Sequence, residues 1–250
     1  MATPDDERLD PRRGVDPLSY TDHAARYEFA AGVAYGRVWD AACGIGYGAS
    51  ILAENKTGMV TSIYACDIDA DAIAYAKSRY ANVLTTFDVC DVESPLSHQP
   101  VFDTVVAFEM IEHLLRPTQF LSGVAGRLEP RGLLIVSTPD RSLNPEGVER
   151  RTKFHHQEFS ADEFRSLLGT VFDNVELFTQ DVFPSTRIRW MDRGNRALDT
   201  TPLRATPVGR RYTRQPWSVL IAVCSNSTLL RAGLENMGGY YIGDGAPLDP

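Results

Sequence analysis

The chain has 250 residues, of which 43% are hydrophobic and 23% charged, and its formal net charge is −8. This length is enough to bury a full core in one α/β domain with a modest extension. The negative charge disfavours nucleic acid as a partner, and no apolar run approaches the roughly 20 residues that span a bilayer. Because the first residues lack the basic and apolar regions of a secretion signal, we expect a cytoplasmic protein without a membrane partner.

Strand-like and helix-like patterns alternate along most of the chain. Residues 1–18 are charged and contain prolines, which predicts a flexible N-terminal segment, whereas residues 21–34 are typical of a helix. Strand-like runs follow at residues 36–41, 60–66, 82–87, 103–109, 132–138, 174–179 and 217–224. Helical patterns separate most of these runs, which predicts an α/β fold in which residues 19–250 form a doubly wound, seven-stranded, mostly parallel sheet.

Two helix starts are explicit in the sequence. Asp69 is predicted to cap the helix that follows the second strand. The sequence Ser160-Ala-Asp-Glu163 has the form of a capping box, in which the serine and glutamate side chains satisfy each other's backbone N–H groups. The four cysteines, in contrast, follow no metal-ligand spacing, so we interpret them as reduced core residues.

A glycine-rich turn follows the first predicted strand. The segment DAACGIGYG, residues 40–48, has three glycines at alternate positions, where a backbone can turn sharply and approach a ligand with no Cβ in the way. The helix predicted to start at Tyr47 would point its free N–H groups into this turn. The spacing also fits the dinucleotide fingerprint of NAD enzymes, so the turn alone leaves two cofactor classes open.

Two aspartates help to decide between these cofactors. Asp40 precedes the first glycine by four residues, where its charge would repel a pyrophosphate but attract the ammonium and sulfonium groups of S-adenosylmethionine. Asp67 ends the second predicted strand, where a carboxylate can accept hydrogen bonds from both ribose hydroxyls. The pair therefore favours S-adenosylmethionine.

Taken together, the motifs resemble those of the class I S-adenosylmethionine-dependent methyltransferases, in the small-molecule O-methyltransferase-like group. The resemblance covers roughly residues 20–180 and implies a Rossmann-like methyltransferase fold, with S-adenosylmethionine as the methyl donor and S-adenosylhomocysteine as the product. Besides residues 40–48, the matching segments are CDID (66–69), FDVCDV (87–92), FDTVVAFEMIEHL (102–114), LEPRG (128–132) and FHHQEFS (154–160).

The resemblance also implies roles for individual residues. Asp40 would contact the methionine amino group, Asp67 the ribose hydroxyls and Ile68 the adenine ring. Asp91 would bind the exocyclic amine of adenine through its side chain, and Val92 through its backbone. The implied cofactor-binding residues are Asp40, Ala42, Gly44, Gly46, Gly48, Asp67, Ile68, Asp91, Val92 and Glu109.

A Glu-x-x-Glu-His sequence at residues 109–113 leaves the fourth predicted strand at the edge of the sheet where ligands bind. Methyl transfer from a sulfonium is a direct displacement, so the enzyme mainly aligns the acceptor and removes its proton. A neutral imidazole suits this task, which makes His113 the first candidate for the base and His155 the second, with Glu112 beside them. Positioning of the substrate is the alternative role of His113.

A second interpretation is that Glu109, Glu112, His113 and His155 hold a divalent ion, since such a set could bind the diol of an acceptor through the metal. The pattern resembles that of the RNA 3′-end ribose methyltransferases. It also occurs in similar small-molecule enzymes without a metal, and we therefore predict a site without one.

An arginine-rich segment separates the last two predicted strands. Residues 181–215 contain eight arginines and three aspartates, a net charge of +5 that leaves −13 for the rest of the chain. We interpret this segment as an insert that forms an acceptor lid. Alternatively, its arginines pair with the acidic body of the protein or with a second subunit in a homodimer. Residues 225–250 are predicted to be a C-terminal extension.

These observations predict methyl transfer to a hydroxyl of a polar small molecule, such as a sugar-containing, natural-product or anionic metabolite. Two alternatives within the same class are N-methylation of a small-molecule amine and metal-assisted 2′-O-methylation of RNA 3′ ends. The third is a catalytically silent cofactor-binding subunit, which the intact Glu112-His113 pair disfavours.

Overall fold

The structure, a computed structural model, describes residues 17–54, 58–94, 101–143, 154–182, 186–190 and 217–227. The helices in these residues are α1 (Pro17–Val33), α2 (Tyr47–Ala53), α3 (Ala70–Tyr80), α4 (Pro117–Ala125) and α5 (Ala161–Gly169). The strands are β1 (Gly36–Ala41), β2 (Val60–Asp67), β3 (Thr85–Val89), β4 (Phe102–Ala107), β5 (Leu128–Pro139), β6 (Asn174–Val182), β7 (Thr186–Trp190) and β8 (Trp217–Ser225).

All of these strands form one sheet in the order β3-β2-β1-β4-β5-β8-β6-β7. Strands β1 to β5 are parallel to one another, whereas β8 is antiparallel to both β5 and β6. The predicted doubly wound α/β fold is therefore confirmed. The direction of strand progression reverses between β1 and β4, and in such sheets ligands bind at that point, beyond the carboxyl ends of the strands.

The sheet is covered on both faces by buried apolar clusters, as is usual for parallel sheets. Val38 on β1 packs into one buried cluster, and its neighbour Trp39 packs into the cluster on the opposite face. Trp39 has no exposed surface and stacks on Phe102, with 5.6 Å between the ring centroids. This core holds the ends of β1 and β4 in fixed positions below the candidate site.

One strand was not predicted from the sequence. β7 lies inside the arginine-rich insert and pairs antiparallel with β6 at the edge of the sheet. Its sequence has the period-two alternation of a strand, with arginines at 187 and 189 between Thr186, Ile188 and Trp190. The strand was missed because the segment was interpreted from its charge alone. The rest of the insert, residues 191–216, lies outside the described residues, as do residues 1–16 of the predicted N-terminal segment and residues 228–250 of the C-terminal extension.

Element boundaries follow local hydrogen bonds. Asp69 caps α3 by accepting hydrogen bonds from Asp71 and Ala72, and Ser160 and Glu163 form the predicted capping box of α5. The third strand begins at Thr85 instead of residue 82, because the Asn82 side chain accepts a hydrogen bond from the Leu84 N–H and holds a turn there.

Two further expectations concern properties of the whole chain. All four cysteines are free thiols, and Cys43, Cys66 and Cys224 are buried core residues as predicted, whereas Cys90 is only partly buried. None of the helices in the described ranges has the length and apolarity to cross a bilayer.

Candidate active site

The glycine-rich turn is tied to the end of the neighbouring strand. The Cys43 N–H donates to the Cys66 carbonyl at 2.8 Å, and the Gly44 N–H donates to Asp67 Oδ2 at 2.8 Å. The turn also contains left-handed backbone, with φ of 60° at Ala42, 56° at Gly44 and 86° at Gly46. This conformation favours glycine, so the turn depends on both its sequence and its contact with β2.

The three glycines of the turn have different neighbours. A Cβ added at Gly44 would meet no described atom within 4 Å, whereas one at Gly48 would overlap the ring of Tyr27. At Gly46 an added Cβ would lie 2.7 Å from the Cβ of Ala76. Gly44 therefore borders open space, where a ligand can approach, while Gly46 and Gly48 allow close packing of the protein itself.

We expect this difference to separate two alanine variants. Gly44→Ala strains a left-handed residue by about 1 to 2 kcal/mol and places a methyl group in the open space, so cofactor affinity should fall at least about 10-fold while the fold is retained. Gly48→Ala should instead lower the free energy of unfolding by about 1 to 3 kcal/mol through overpacking against Tyr27. Calorimetric titration with S-adenosylhomocysteine and thermal unfolding of both variants measure this. Equal cofactor affinity of Gly44→Ala and the unaltered protein would contradict the assignment.

Asp40 is a buried carboxylate, and only one of its two oxygens accepts a hydrogen bond from a described residue. It has no exposed surface, and the Tyr27 hydroxyl donates to its Oδ1 at 3.0 Å. Its Oδ2 has no hydrogen-bond partner among the described residues. Burial raises the pKa of Asp40 to about 7, the Tyr27 hydrogen bond opposes this rise, and the nearby Asp67 carboxylate adds to it. A buried oxygen without a donor is suited to a cationic ligand group.

The predicted ribose and adenine residues lie together at the ends of β2 and β3. Asp67 accepts hydrogen bonds from the Gly44 and Asp69 N–H groups, and Ile68 is 69% exposed. The Asp91 carboxylate accepts from the Glu93 N–H at 2.9 Å and the Ser94 hydroxyl at 3.0 Å, within a turn that includes the partly buried Val92. Asp67 and Asp91 therefore shape the backbone here, in addition to any contact with a ligand.

Glu109 follows the end of β4 in a left-handed conformation, with φ of 50°. The Ser137 hydroxyl accepts a hydrogen bond from the Glu109 N–H at 3.2 Å and donates to Glu109 Oε1 at 2.7 Å. The strand therefore ends at Ala107, before the predicted residue 109, because the chain turns at Glu109. This turn leads directly into the short 3-10 helix Ile111–His113.

The three predicted catalytic residues converge behind that turn. The rings of His113 and His155 meet edge to face with 4.8 Å between their centroids. Glu112 is 1% exposed, and its main-chain carbonyl accepts hydrogen bonds from the N–H groups of His156 and Gln157. These two hydrogen bonds join residues 154–158 to the 3-10 helix, so His155 reaches the site although it lies far away in the sequence.

Burial sets the protonation of this group. Burial raises the pKa of Glu112 well above its ordinary value, and the Glu109 carboxylate raises it further. Hydrogen bonds with its own main chain and with the Thr138 side chain, together with the Arg26 guanidinium, oppose this rise. Burial also lowers the pKa of His113, and the neighbouring His155 lowers it further. Both shifts favour the uncharged forms, a neutral carboxyl group on Glu112 and a neutral imidazole on His113.

Comparisons with known proteins identify the family. The family described as "Methyltransferase domain" matches residues 39–136. A probable S-adenosylmethionine-dependent methyltransferase of Mycobacterium tuberculosis is 34% identical over 203 residues, which cover 80% of this chain and 72% of the relative. The chain belongs to the class I S-adenosylmethionine-dependent methyltransferases.

Two further similar proteins extend the comparison of this methyltransferase. A ubiquinone biosynthesis O-methyltransferase of Xanthomonas euvesicatoria pv. vesicatoria is 30% identical over 135 residues, which cover 53% of each chain. The solved structure of the plantazolicin methyltransferase in complex with SAH matches with a TM-score of 0.63 at 15% identity, covering 90% of this chain and 92% of that one. The structural likeness shows the fold, which is the one predicted.

The cofactor of this methyltransferase is S-adenosylmethionine. The residues around the turn fit that molecule, since the unpartnered oxygen of Asp40 can accept from an ammonium group and the open space at Gly44 admits a ligand next to the backbone. The exposed side chain of Ile68 offers an apolar surface for the adenine ring. The individual contacts implied by the resemblance remain predictions.

Two residues of α1 that the sequence did not single out also lie at this site. Tyr27 donates the hydrogen bond to Asp40 and packs edge to face on Phe108, with 5.0 Å between the ring centroids. Arg26 is 2% exposed, and its Nη1 donates to Gln180 Oε1 at 2.8 Å. The sequence does place a charged residue, Arg26, among the apolar residues of a predicted helix. Its hydrogen-bond partner Gln180 could not be inferred, because it lies 154 positions further along the chain.

Proposed function

We propose that this methyltransferase transfers the methyl group to a hydroxyl of a polar small molecule. The observation that carries the proposal is the edge-to-face pair of His113 and His155 beside the end of β4, where a parallel sheet of this kind binds its ligands. A hydroxyl must lose a proton during methylation, and imidazoles are the side chains best suited to assist this near neutral pH. The O-methyltransferase name of one relative supports the same reaction type.

Methyl transfer to a hydroxyl is a single displacement step. The acceptor oxygen attacks the methyl carbon, the new C–O bond forms as the C–S bond breaks, and the sulfonium becomes a neutral thioether. The proton of the hydroxyl leaves with assistance from His113 and His155. The residues of the site therefore have to hold the acceptor in line with the C–S bond and exclude water, which is where alignment contributes most to the rate.

The proposal is tested by transfer of an isotopic label. The protein is incubated with methyl-labelled S-adenosylmethionine and a metabolite extract of its host, and the labelled products are identified by mass spectrometry and NMR. We expect labelled methyl ethers on polar metabolites. A parallel incubation contains RNA in addition to the extract. Label on nitrogen, label only in that RNA, or no labelled product in any fraction would each overturn the proposal.

The acceptor is further proposed to be anionic or sugar-containing, because the insert before the last strand is rich in arginine. Arg187 and Arg189 lie in β7, at the edge of the sheet next to β6. Guanidinium groups bind carboxylates and phosphates through paired hydrogen bonds, which favours such acceptors.

We expect the variant with alanine at positions 187, 189 and 193 to raise the acceptor KM about 10-fold or more with little change in kcat, since it removes binding common to substrate and transition state. Steady-state kinetics on the acceptor identified by the label measures this. Arg79→Ala, an exposed arginine on α3, is the matched control. An unchanged KM in the triple variant would show that these arginines serve another purpose.

A further inference from the structure

Two cysteines outside the predicted catalytic set lie next to each other at the ends of β2 and β3. Cys66 pairs with Asp88 in the parallel register of these strands, and Cys90 follows Asp88 by two positions, which places both cysteine side chains on the same face of the sheet. Although β3 ends at Val89, the Cys90 N–H still donates to the Asp67 carbonyl of β2, at 3.0 Å. The two thiols are hydrogen-bonded to each other.

The two thiols differ in their freedom to move. Cys66 has no exposed surface and lies on β2 between β1 and β3, where the Trp39 indole N–H donates to its Sγ at 3.3 Å. Cys90 is only partly buried, and it packs against the same apolar cluster from its position after the end of β3. A change in the distance between the two sulfur atoms would therefore move Cys90 and its neighbours more than Cys66.

Both cysteines directly precede residues of the predicted cofactor site. Asp67, which follows Cys66, is predicted to bind the ribose hydroxyls, and Asp91, which follows Cys90, is predicted to bind the exocyclic amine of adenine. The Asp91 carboxylate also holds the turn after β3, where it accepts a hydrogen bond from the Glu93 N–H at 2.9 Å. A covalent bond between the cysteines would therefore change the spacing of the two segments predicted to bind adenosine.

The hydrogen bond between the thiols makes them chemically unequal. It lowers the pKa of Cys90, while burial and the Asp91 and Asp88 carboxylates oppose this lowering. The same hydrogen bond raises the pKa of Cys66, and burial raises it further, whereas the hydrogen bond from Trp39 opposes both. An accessible thiol with a lowered pKa reacts first with an oxidant, and a second thiol in contact with it can then complete a disulfide.

We propose that Cys66 and Cys90 form a reversible disulfide that lowers the affinity of this methyltransferase for its cofactor, with hydrogen peroxide as the oxidant. The Cys90 thiolate attacks one oxygen of the peroxide, the O–O bond breaks, and the departing hydroxide takes up the thiol proton to become water. The Cys66 sulfur then attacks the sulfur of the resulting sulfenic acid, the S–O bond breaks, and a second water leaves. The two thiols lose two electrons in total, and the peroxide gains them.

The effect on the cofactor site follows from the length of the new bond. A disulfide holds its sulfur atoms about 2 Å apart, which is closer than in a hydrogen bond between thiols. Because Cys66 is fixed in the sheet, Cys90 and the turn that contains Asp91 must move toward β2. The adenine side of the site then departs from its geometry in the reduced protein, and reduction of the disulfide restores it. This effect concerns the cofactor alone and does not depend on which acceptor is methylated.

The test is treatment of the full chain with hydrogen peroxide, followed by thiol counting, peptide mass spectrometry and calorimetric titration with S-adenosylhomocysteine. We expect loss of two of the four thiols, a cross-linked peptide that contains Cys66 and Cys90, and an affinity at least about 10-fold weaker until dithiothreitol is added. Cys90→Ser should keep its affinity under the same treatment. The matched control is Cys224→Ala, which removes a buried cysteine of β8 and should respond like the unaltered protein.

Three results would overturn the proposal, namely four thiols remaining after treatment, a disulfide that leaves the affinity unchanged, or an equal loss of affinity in Cys90→Ser. The order of the two steps is tested with Cys66→Ala, in which the sulfenic acid on Cys90 meets no second thiol and is trapped by dimedone. A dimedone adduct on another cysteine, with none on Cys90, would overturn the assignment of the first step. Binding of S-adenosylhomocysteine before treatment shows that each variant is folded.

Discussion

The Asp40→Asn variant is expected to bind S-adenosylmethionine at least about 100-fold more weakly than the unaltered protein, because it removes a buried charge from the side of the site predicted to hold an ammonium group. In the free protein, however, the same change should be stabilising at neutral pH. The reason is that Asp40 is fully buried and the raised pKa, about 7 against an ordinary 3.8, means that folding favours its neutral form.

The sign of the pH dependence follows from that raised pKa. Between pH 3.8 and about 7 the folded state keeps a proton on Asp40 that the unfolded state releases, so stability falls as the pH rises through this window. Below it Asp40 contributes no penalty, and above it the penalty is at most about 4 kcal/mol. The asparagine side chain of Asp40→Asn has no such dependence, while its amide oxygen can still accept from Tyr27.

Thermal unfolding of the cofactor-free protein between pH 4.5 and 8.5 measures this effect. The melting temperature of Asp40→Asn should exceed that of the unaltered protein at pH 8 and approach it at the acid end. Asp88→Asn, an exposed aspartate on β3, serves as the control and should leave the profile unchanged. If the melting temperatures of Asp40→Asn and the unaltered protein changed in parallel with pH, ionisation of Asp40 would not destabilise the folded state.

The second large effect is expected at His113. The His113→Ala variant should lower kcat on a hydroxyl acceptor about 100- to 10,000-fold, the range that proton transfer typically contributes. The affinity for S-adenosylhomocysteine should change little, since the cofactor turn is anchored on Asp67 instead. Pre-steady-state turnover and calorimetric titration together separate these two effects.

The control for His113 is His156→Ala, whose exposed imidazole lies outside the converging set. A decrease in kcat of less than about 10-fold in His113→Ala would favour amine methylation, because an unprotonated amine is already nucleophilic. Comparing the unaltered protein with and without a chelator then distinguishes the two ways in which the imidazole can act. A chelator that lowers the rate to that of His113→Ala indicates action through an ion.

Much of the fold could be predicted because its signals are local. Val38 and Trp39 belong to a short apolar run that predicts a strand, and Ser160 with Glu163 marks a helix start within four residues. The alternation of strand and helix patterns then predicted a doubly wound, mostly parallel sheet. β7 was missed because its period-two pattern spans only five residues within a segment dominated by charge.

The candidate site was predicted only in part, because several of its contacts join distant segments. The pairing of Arg26 with Gln180 and of Tyr27 with Asp40 depends on how α1 lies on the sheet. Nothing local distinguishes Gly44, which borders open space, from Gly48, which accommodates the ring of Tyr27. Sequence spacing identified the residue types, and three-dimensional packing decided which of them face a ligand.

The hydrogen bond from Gly44 to Asp67 connects the turn after β1 to the last residue of β2, 23 positions further along the chain. The glycine motif is therefore not an autonomous unit, since two hydrogen bonds that hold its backbone are accepted by residues of β2. An excised peptide that carries β1, the turn and α2 would have the motif but lack the carboxylate that holds it. A split of the gene between residues 54 and 58 would accordingly give two fragments that recover cofactor binding only on reassembly.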